Sequence, residues 1–240
     1  MIDAETVQKL ATKYQTTALN VAREYCQHLF LSAFYQRPTS DRVLFKGGTA
    51  LRIIYGSPRF SEDLDFSGVG IRPSAVEHLL TETLSDVERS GLVLEIEEAK
   101  ATSGGYLGII HSRVLEYRVA IQVEVSLRAR TRLPASTALI AGDFLPAYTL
   151  LHVPPERLVE EKLAALLERG KPRDFYDLYF ILRKGLLSPG NRRILREVAA
   201  RLNQIKPETA RELRLFLPKD QQAVVKDFRA TLERELRRHL

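Results

Sequence analysis

Two aspartates stand two residues apart in Ser61-Glu62-Asp63-Leu64-Asp65-Phe66. In an extended chain such residues project to one face, which leaves Leu64 and Phe66 on the other. Carboxylates held side by side repel each other unless a cation lies between them. Hard oxygen ligands of this kind suit Mg2+, with phosphate oxygens and water completing the shell. The pair alone is weak evidence. With 30 acids among 240 residues, chance supplies roughly four such pairs, and a wet strand face accounts for most of them.

What precedes the pair adds weight. Lys46-Gly47-Gly48-Thr49-Ala50-Leu51 places two glycines between an apolar run and a short helical pattern. Glycines let the backbone approach a ligand, and a helix N-terminus offers free N–H groups to an anion. Thr49 either borders a phosphate or caps the helix. A phosphate site and a metal site are therefore predicted on neighbouring turns, as a nucleoside triphosphate with Mg2+ requires. A third carboxylate, Glu124, lies mid-strand. It either joins the metal pair and orients an attacking hydroxyl or faces solvent beside Gln122 and Ser126. Further on, Lys162 flanks an apolar helix. Arg173-Asp174-Phe175-Tyr176-Asp177 reads as a helix start in which Arg173 can pair with Asp177 at i+4. Asp174 and Asp177 share the flank opposite the apolar stripe.

These groups need elements to hold them. Residues 3–36 read as helical, with Leu19, Ala22, Cys26, Leu29, Phe30, Ala33 and Phe34 at helical spacing. Val43 to Phe45 predicts a short strand, Thr49 to Tyr55 a helix, Phe60 to Ser67 a second strand and 74–90 an amphipathic helix. Leu92 to Glu98 and Tyr106 to Val114 alternate. Arg118 to Arg128 is the clearest strand, with Val119, Ile121, Val123, Val125 and Leu127 on one side. A loop rich in small residues and prolines follows. After about residue 153 the pattern is all helical: 154–169, 173–184, 190–203, 207–217 and 219–239. The division expected is a core of residues 1–153 with N-terminal helices, and a helical domain of residues 154–240.

Composition sets bounds. Apolar residues make up 45% and charged residues 28%, which is ordinary for a globular protein. A single cysteine, Cys26, excludes an internal disulfide and suits a reducing compartment; it reads as a small core residue. No run approaches the roughly 18 apolar residues of a membrane span, and the N-terminus lacks a signal-peptide pattern, so a cytoplasmic location is expected. The formal charge is +6. From Asn191 onward thirteen basic residues face seven acidic ones, so the tail holds a surplus equal to that of the whole chain. Such clustering suits a phosphate-backbone partner or a solvated helix face. The five histidines lack metal-ligand spacing. Neither a G-x-S-x-G nor a Walker P-loop is present.

The sequence resembles the nucleotidyltransferase toxins of the AbiEii type, which include the mycobacterial MenT toxins. The matching pieces are Phe45 to Leu51, Phe60 to Phe66, Val123 to Ser126, Glu161 to Leu166 and Arg173 to Leu178, in the family's order. The resemblance implies an α+β fold: a polymerase-β-like nucleotidyltransferase core with a mixed sheet, plus a helical C-terminal domain. It implies an NTP donor, an RNA acceptor extended at its 3′ end (tRNA in related toxins), and an antitoxin partner. Asp63 and Asp65 would hold Mg2+, and a second metal would involve Glu124. Lys46, Gly47, Gly48, Thr49 and Ser61 would border the triphosphate. Lys162 would contact phosphate, and Asp174 would complete the active site. Ser61 also matches a serine that such antitoxins modify. Two rival readings keep the site: transfer to a protein hydroxyl, or an NTP-binding regulator without catalysis.

Overall fold

The computed structural model describes residues 1–129, 133–205 and 208–240. Lys206, counted above in the basic tail, lies outside them. The chain divides into two compact units, one of residues 1–56 and 60–153, the other of residues 57–59 and 154–240.

The first unit is built from α1 (Ala4–Lys13), α2 (Ala18–Phe34), β1 (Val43–Lys46), α3 (Gly47–Ile53), β2 (Leu64–Val69), α4 (Pro73–Arg89), β3 (Val93–Thr102), β4 (Gly105–Val114), β5 (Tyr117–Ala129), β6 (Ser136–Ile140) and β7 (Tyr148–His152). The strands form one mixed sheet in the order β3-β4-β5-β2-β1-β7-β6. Two neighbour pairs, β2/β5 and β1/β7, are parallel, and the rest are antiparallel. The alternation in β5 does what its period requires: Val119, Ile121, Val123 and Val125 are all buried. Phe66 of β2 meets Phe34 of α2 at 5.1 Å between ring centroids and Phe45 of β1 at 5.4 Å. Burying one such ring stabilises by about 1.5–3 kcal/mol. This aromatic layer fixes α2 on one face of the sheet and leaves the residues alternating with Phe45 and Phe66 on the other.

Four local expectations need correction. Residues 3–36 form two helices, because Gln15 takes a positive φ of 51° and Thr17 starts α2 by accepting the Asn20 N–H at 3.2 Å. Helix α3 starts at Gly47, so both glycines lie in its first turn. Strand β2 starts at Leu64, so Asp63 is the residue just before it. Strands β6 and β7 occupy part of what reads as a loop. Tyr35 secures the second of them, its hydroxyl bridging the carbonyls of Val43 (2.8 Å) and Leu151 (2.7 Å).

The second unit holds α5 (Pro155–Arg169), α6 (Pro172–Lys184), α7 (Ile194–Arg201), α8 (Glu208–Arg214) and α9 (Phe228–Arg237). Its core is built from apolar stripes, among them Leu163, Leu166, Phe175, Leu178, Ile181, Leu195 and Leu232. The helix expected over 219–239 is a 3-10 turn, Lys219–Gln221, followed only later by α9. No helix among the described residues is long and apolar enough to cross a membrane.

Candidate active site

Sheet register brings three charged residues into one row. Lys46 of β1 lies opposite Asp65 of β2 in the antiparallel pair. On its other side, Asp65 lies opposite Glu124 of β5 in the parallel pair. Residues directly opposite each other in adjacent strands, about 4.8 Å apart, share a face. The row is therefore Lys46, Asp65, Glu124, on the face away from Phe34 and Phe66. Asp65 and Lys46 are half-buried and Glu124 is exposed. Leu64 and Phe66, on either side of Asp65, are fully buried. Asp63, one alternation earlier, is half-buried like Asp65.

The glycine turn meets the carboxylate directly. Gly47 has φ +83°, and a Cβ built on it would fall 2.0 Å from Asp65 Oδ2. Both the left-handed backbone and the lack of space demand glycine there. The first turn of α3 thus packs on the carboxylate with no side chain between them.

The approach to β2 is clamped from two sides. Gln27, on the buried face of α2, donates its amide to the carbonyls of Ser61 (2.9 Å) and Glu62 (3.1 Å). Arg23, one turn earlier, pairs with Glu62 at 3.1 Å. From α3, the Thr49 hydroxyl donates to the Asp63 carbonyl. Thr49 is 1% exposed, and its hydroxyl sets the position of Asp63; Lys46 rather than Thr49 stands at the N-cap of α3. Helix α3 is itself pinned at its far end. Arg52 makes a two-pronged pair with Glu24 of α2 (2.8 and 2.9 Å) and stacks on Phe60 at 3.5 Å from the ring centroid. Burial raises the Glu24 carboxyl, and Arg52 opposes that rise.

The donor set fits a small hard cation. The Asp65 carboxylate stands beside a turn that brings backbone rather than side chain to the site, and Asp63 precedes it by two residues. Among the described residues no three His, Cys, Asp or Glu side chains gather into a complete metal cage. An ion held here would draw its remaining ligands from phosphate oxygens and water, as Mg2+ does.

The residues carried by the second unit sit in a different pattern from the one the sequence suggests. Asp174 and Asp177, expected on a surface flank, are each 1% exposed. Asp174 accepts two bonds from Arg169 (3.0 and 2.8 Å) and one from the Lys171 N–H (3.0 Å), and so closes the start of α6. Asp177 takes Arg59 through both carboxylate oxygens (2.9 and 3.1 Å) and Lys162 at 2.7 Å. Burial pushes the Asp177 carboxyl up, but the two cations outweigh burial and hold it below the usual carboxylate range.

The profile of the nucleotidyl transferase AbiEii toxin family, of type IV toxin–antitoxin systems, matches residues 29–238. The chain belongs to that family. It is a nucleotidyltransferase and a toxin, and a type IV system supplies it with an antitoxin partner. Two solved structures from Helicobacter pylori share the fold of this AbiEii protein. JHP933 is 18% identical with a TM-score of 0.68, over 93% of each chain. A candidate nucleotidyltransferase is 18% identical with a TM-score of 0.66, over 90% of this chain and 92% of that one. No curated protein sequence matches the chain.

Sequence reasoning passed over Gln27 and Arg59, and it offered Arg173 rather than Arg59 and Lys162 as the partner of Asp177. Gln27 had a usable signal, a polar residue between Cys26 and the apolar Leu29 and Phe30. Arg59 had none, because 118 residues separate it from Asp177.

Proposed function

We propose that this AbiEii toxin transfers a nucleoside monophosphate from an NTP to an RNA 3′ end, most specifically the acceptor end of tRNA, and so blocks translation. The row of Lys46, Asp65 and Glu124 beside Gly47 carries this reading. It supplies, on one sheet face, a cation for phosphate, carboxylates for a metal and a backbone turn for close approach. Asp63 and Asp65 are the residues that would hold Mg2+. The chemistry a bound Mg2+ supplies is neutralisation of the charge that develops on the phosphate oxygens.

The chain's own groups do the rest. The glycine turn and Lys46 seat the outer phosphates, with Ser61 at the border. The acceptor's 3′-hydroxyl attacks the α-phosphorus in line, and the bond to the bridging oxygen breaks as pyrophosphate leaves. Glu124 orients that hydroxyl. The family resemblance assigns Lys162 a contact with phosphate, as neutraliser of the departing pyrophosphate, and gives Asp174 a role in activity. The basic tail suits the RNA backbone, whose contacts weaken as salt is added.

The test is to incubate the protein with each NTP labelled at the α-phosphate, together with purified tRNA and total cellular protein. Label should appear at the tRNA 3′ end with Mg2+ present and not after chelation. Label entering protein instead of RNA would overturn the choice of acceptor.

A further inference from the structure

The two carboxylates of the acid pair are held by different means. Asp65 lies inside β2, with Lys46 opposite it on one side and Glu124 on the other, so the sheet fixes its main chain from both neighbours. Asp63 lies just before the strand, outside the paired register. Here side chains take the place of a ladder. The three successive carbonyls of Ser61, Glu62 and Asp63 each accept a hydrogen bond: Gln27 donates to the first at 2.9 Å and to the second at 3.1 Å, and Thr49 donates to the third. Gln27 is 2% exposed. A carboxamide NH2 has two protons, and a carbonyl stands ready for each. Each residue has only two soft dihedrals, φ and ψ, between rigid peptide planes. Gln27 holds the two planes that lead up to the Asp63 α-carbon, and Thr49 holds the one that leaves it. The direction of the Asp63 side chain follows.

We propose that Gln27 is a positioning residue, which acts through these two peptide planes to aim the Asp63 carboxylate at an ion shared with Asp65. This rests on the reading of Asp63 and Asp65 as metal ligands. Mg2+ demands near-ideal octahedral geometry, and a functional constellation must be held within about 0.5 Å of its productive arrangement. The ladder gives Asp65 that precision, and Gln27 extends it to Asp63. Glutamine suits the task because it carries two protons on one terminal atom without a charge. Glutamate in its place would set acceptors against acceptors, and methionine would leave both carbonyls unheld.

The test is Mn2+ binding to the full chain without nucleotide, followed by the loss of the free-ion paramagnetic resonance signal, beside the Mg2+ dependence of NMP transfer. Gln27→Met should weaken Mn2+ binding by roughly 10- to 100-fold, as loss of a group that orients a metal ligand typically does, and transfer should need correspondingly more Mg2+. Gln27→Asn keeps the amide one methylene short of the carbonyls, so it should fold even where Gln27→Met does not, and it should lose part of the same affinity. Tyr35→Phe is the control. It also strips a donor from two carbonyls of this sheet, Val43 and Leu151, but not from the segment before Asp63. It should melt lower and bind Mn2+ as the unaltered protein does. In an Asp63→Asn background, Gln27→Met should cost no further affinity, because residues that act as one unit are not additive. Mn2+ affinity in Gln27→Met and Gln27→Asn equal to that of Tyr35→Phe would show that Gln27 merely holds the fold, and would overturn the proposal while leaving Asp63 a ligand. Absence of saturable binding by the unaltered protein, or full binding by Asp63→Asn, would instead remove the reading of the pair as ligands, and this proposal with it.

Discussion

The carboxylate of Asp65 rests against the α-carbon of Gly47, with less room between them than a methyl group needs. Gly47→Ala therefore meets two obstacles, the contact and the positive φ of 83°. Backbone strain of this kind costs on the order of 1–3 kcal/mol, and the displaced carboxylate should take most of the transfer activity with it. Gly56→Ala is the control: its φ is +77°, but nothing lies within 4 Å of the added Cβ. Denaturant melts should show both variants destabilised, with activity lost only in the first. Equal activity in the two would show that the contact has no bearing on transfer.

Thr49 predicts a separation of stability from chemistry. Thr49→Val keeps the volume but strips the hydroxyl that holds the Asp63 carbonyl. Loss of such a hydrogen bond costs about 0.5–1.5 kcal/mol. The variant should melt lower and transfer more slowly even at saturating NTP, because Asp63 is no longer set in place. A variant that raised KM and left kcat alone would point to a direct phosphate contact instead.

The carboxylates themselves should differ in rank. Asp63→Ala and Asp65→Ala should abolish transfer with the circular dichroism spectrum unchanged, both residues being half-buried and outside the apolar layer. Glu124→Gln should lower turnover roughly 10²- to 10⁴-fold if the carboxylate orients the attacking hydroxyl. Turnover that matches the unaltered protein would return Glu124 to the status of a solvated strand residue.

His28 should make stability depend on pH. Its ring is buried, stacks on Phe144 at 5.0 Å and meets the Tyr148 hydroxyl at 2.8 Å. Burial, reinforced by the nearby Arg52 charge, pushes its pKa down to about 4, against about 6.5 in an unfolded chain. The folded state then binds fewer protons than the unfolded state between these values. Stability is thus full above about pH 6.5 and falls as pH drops toward 4, by on the order of 3 kcal/mol in all. His152, also lowered by burial, adds in the same direction, while the raised Glu24 opposes it. Urea melts at pH 7.5 and pH 5 should show a smaller difference for His28→Gln than for the unaltered protein. Identical differences would refute this assignment.

Periodicity made the central frame legible. The strict alternation of β5 and the apolar run of β1 owe little to distant contacts, and the glycine turn and acid pair are local in sequence. Register then joined Lys46, Asp65 and Glu124, which no local pattern could have done, since pairing depends on which strands become neighbours. β6 and β7 were hidden for a related reason. Ser136-Thr137-Ala138 lacks the bulky alternation of β5, and β7 is held partly by the hydroxyl of Tyr35, the residue that ends α2. The flank of α6 looked polar and exposed because the groups that cover it come from other stretches of chain, Arg59 and Lys162 at Asp177 and Arg169 at Asp174. Helical spacing shows which residues share a side but not what covers that side.

Gln27 grips the approach to β2 by peptide carbonyls alone at Ser61. A clasp that touches only main chain is indifferent to what hangs from the α-carbon. Position 61 can therefore diverge between relatives, or take on a bulky charged adduct, while the neighbouring aspartates stay seated. The toxin's surface beside its carboxylates is thereby open to tuning or masking without any need to loosen the frame beneath.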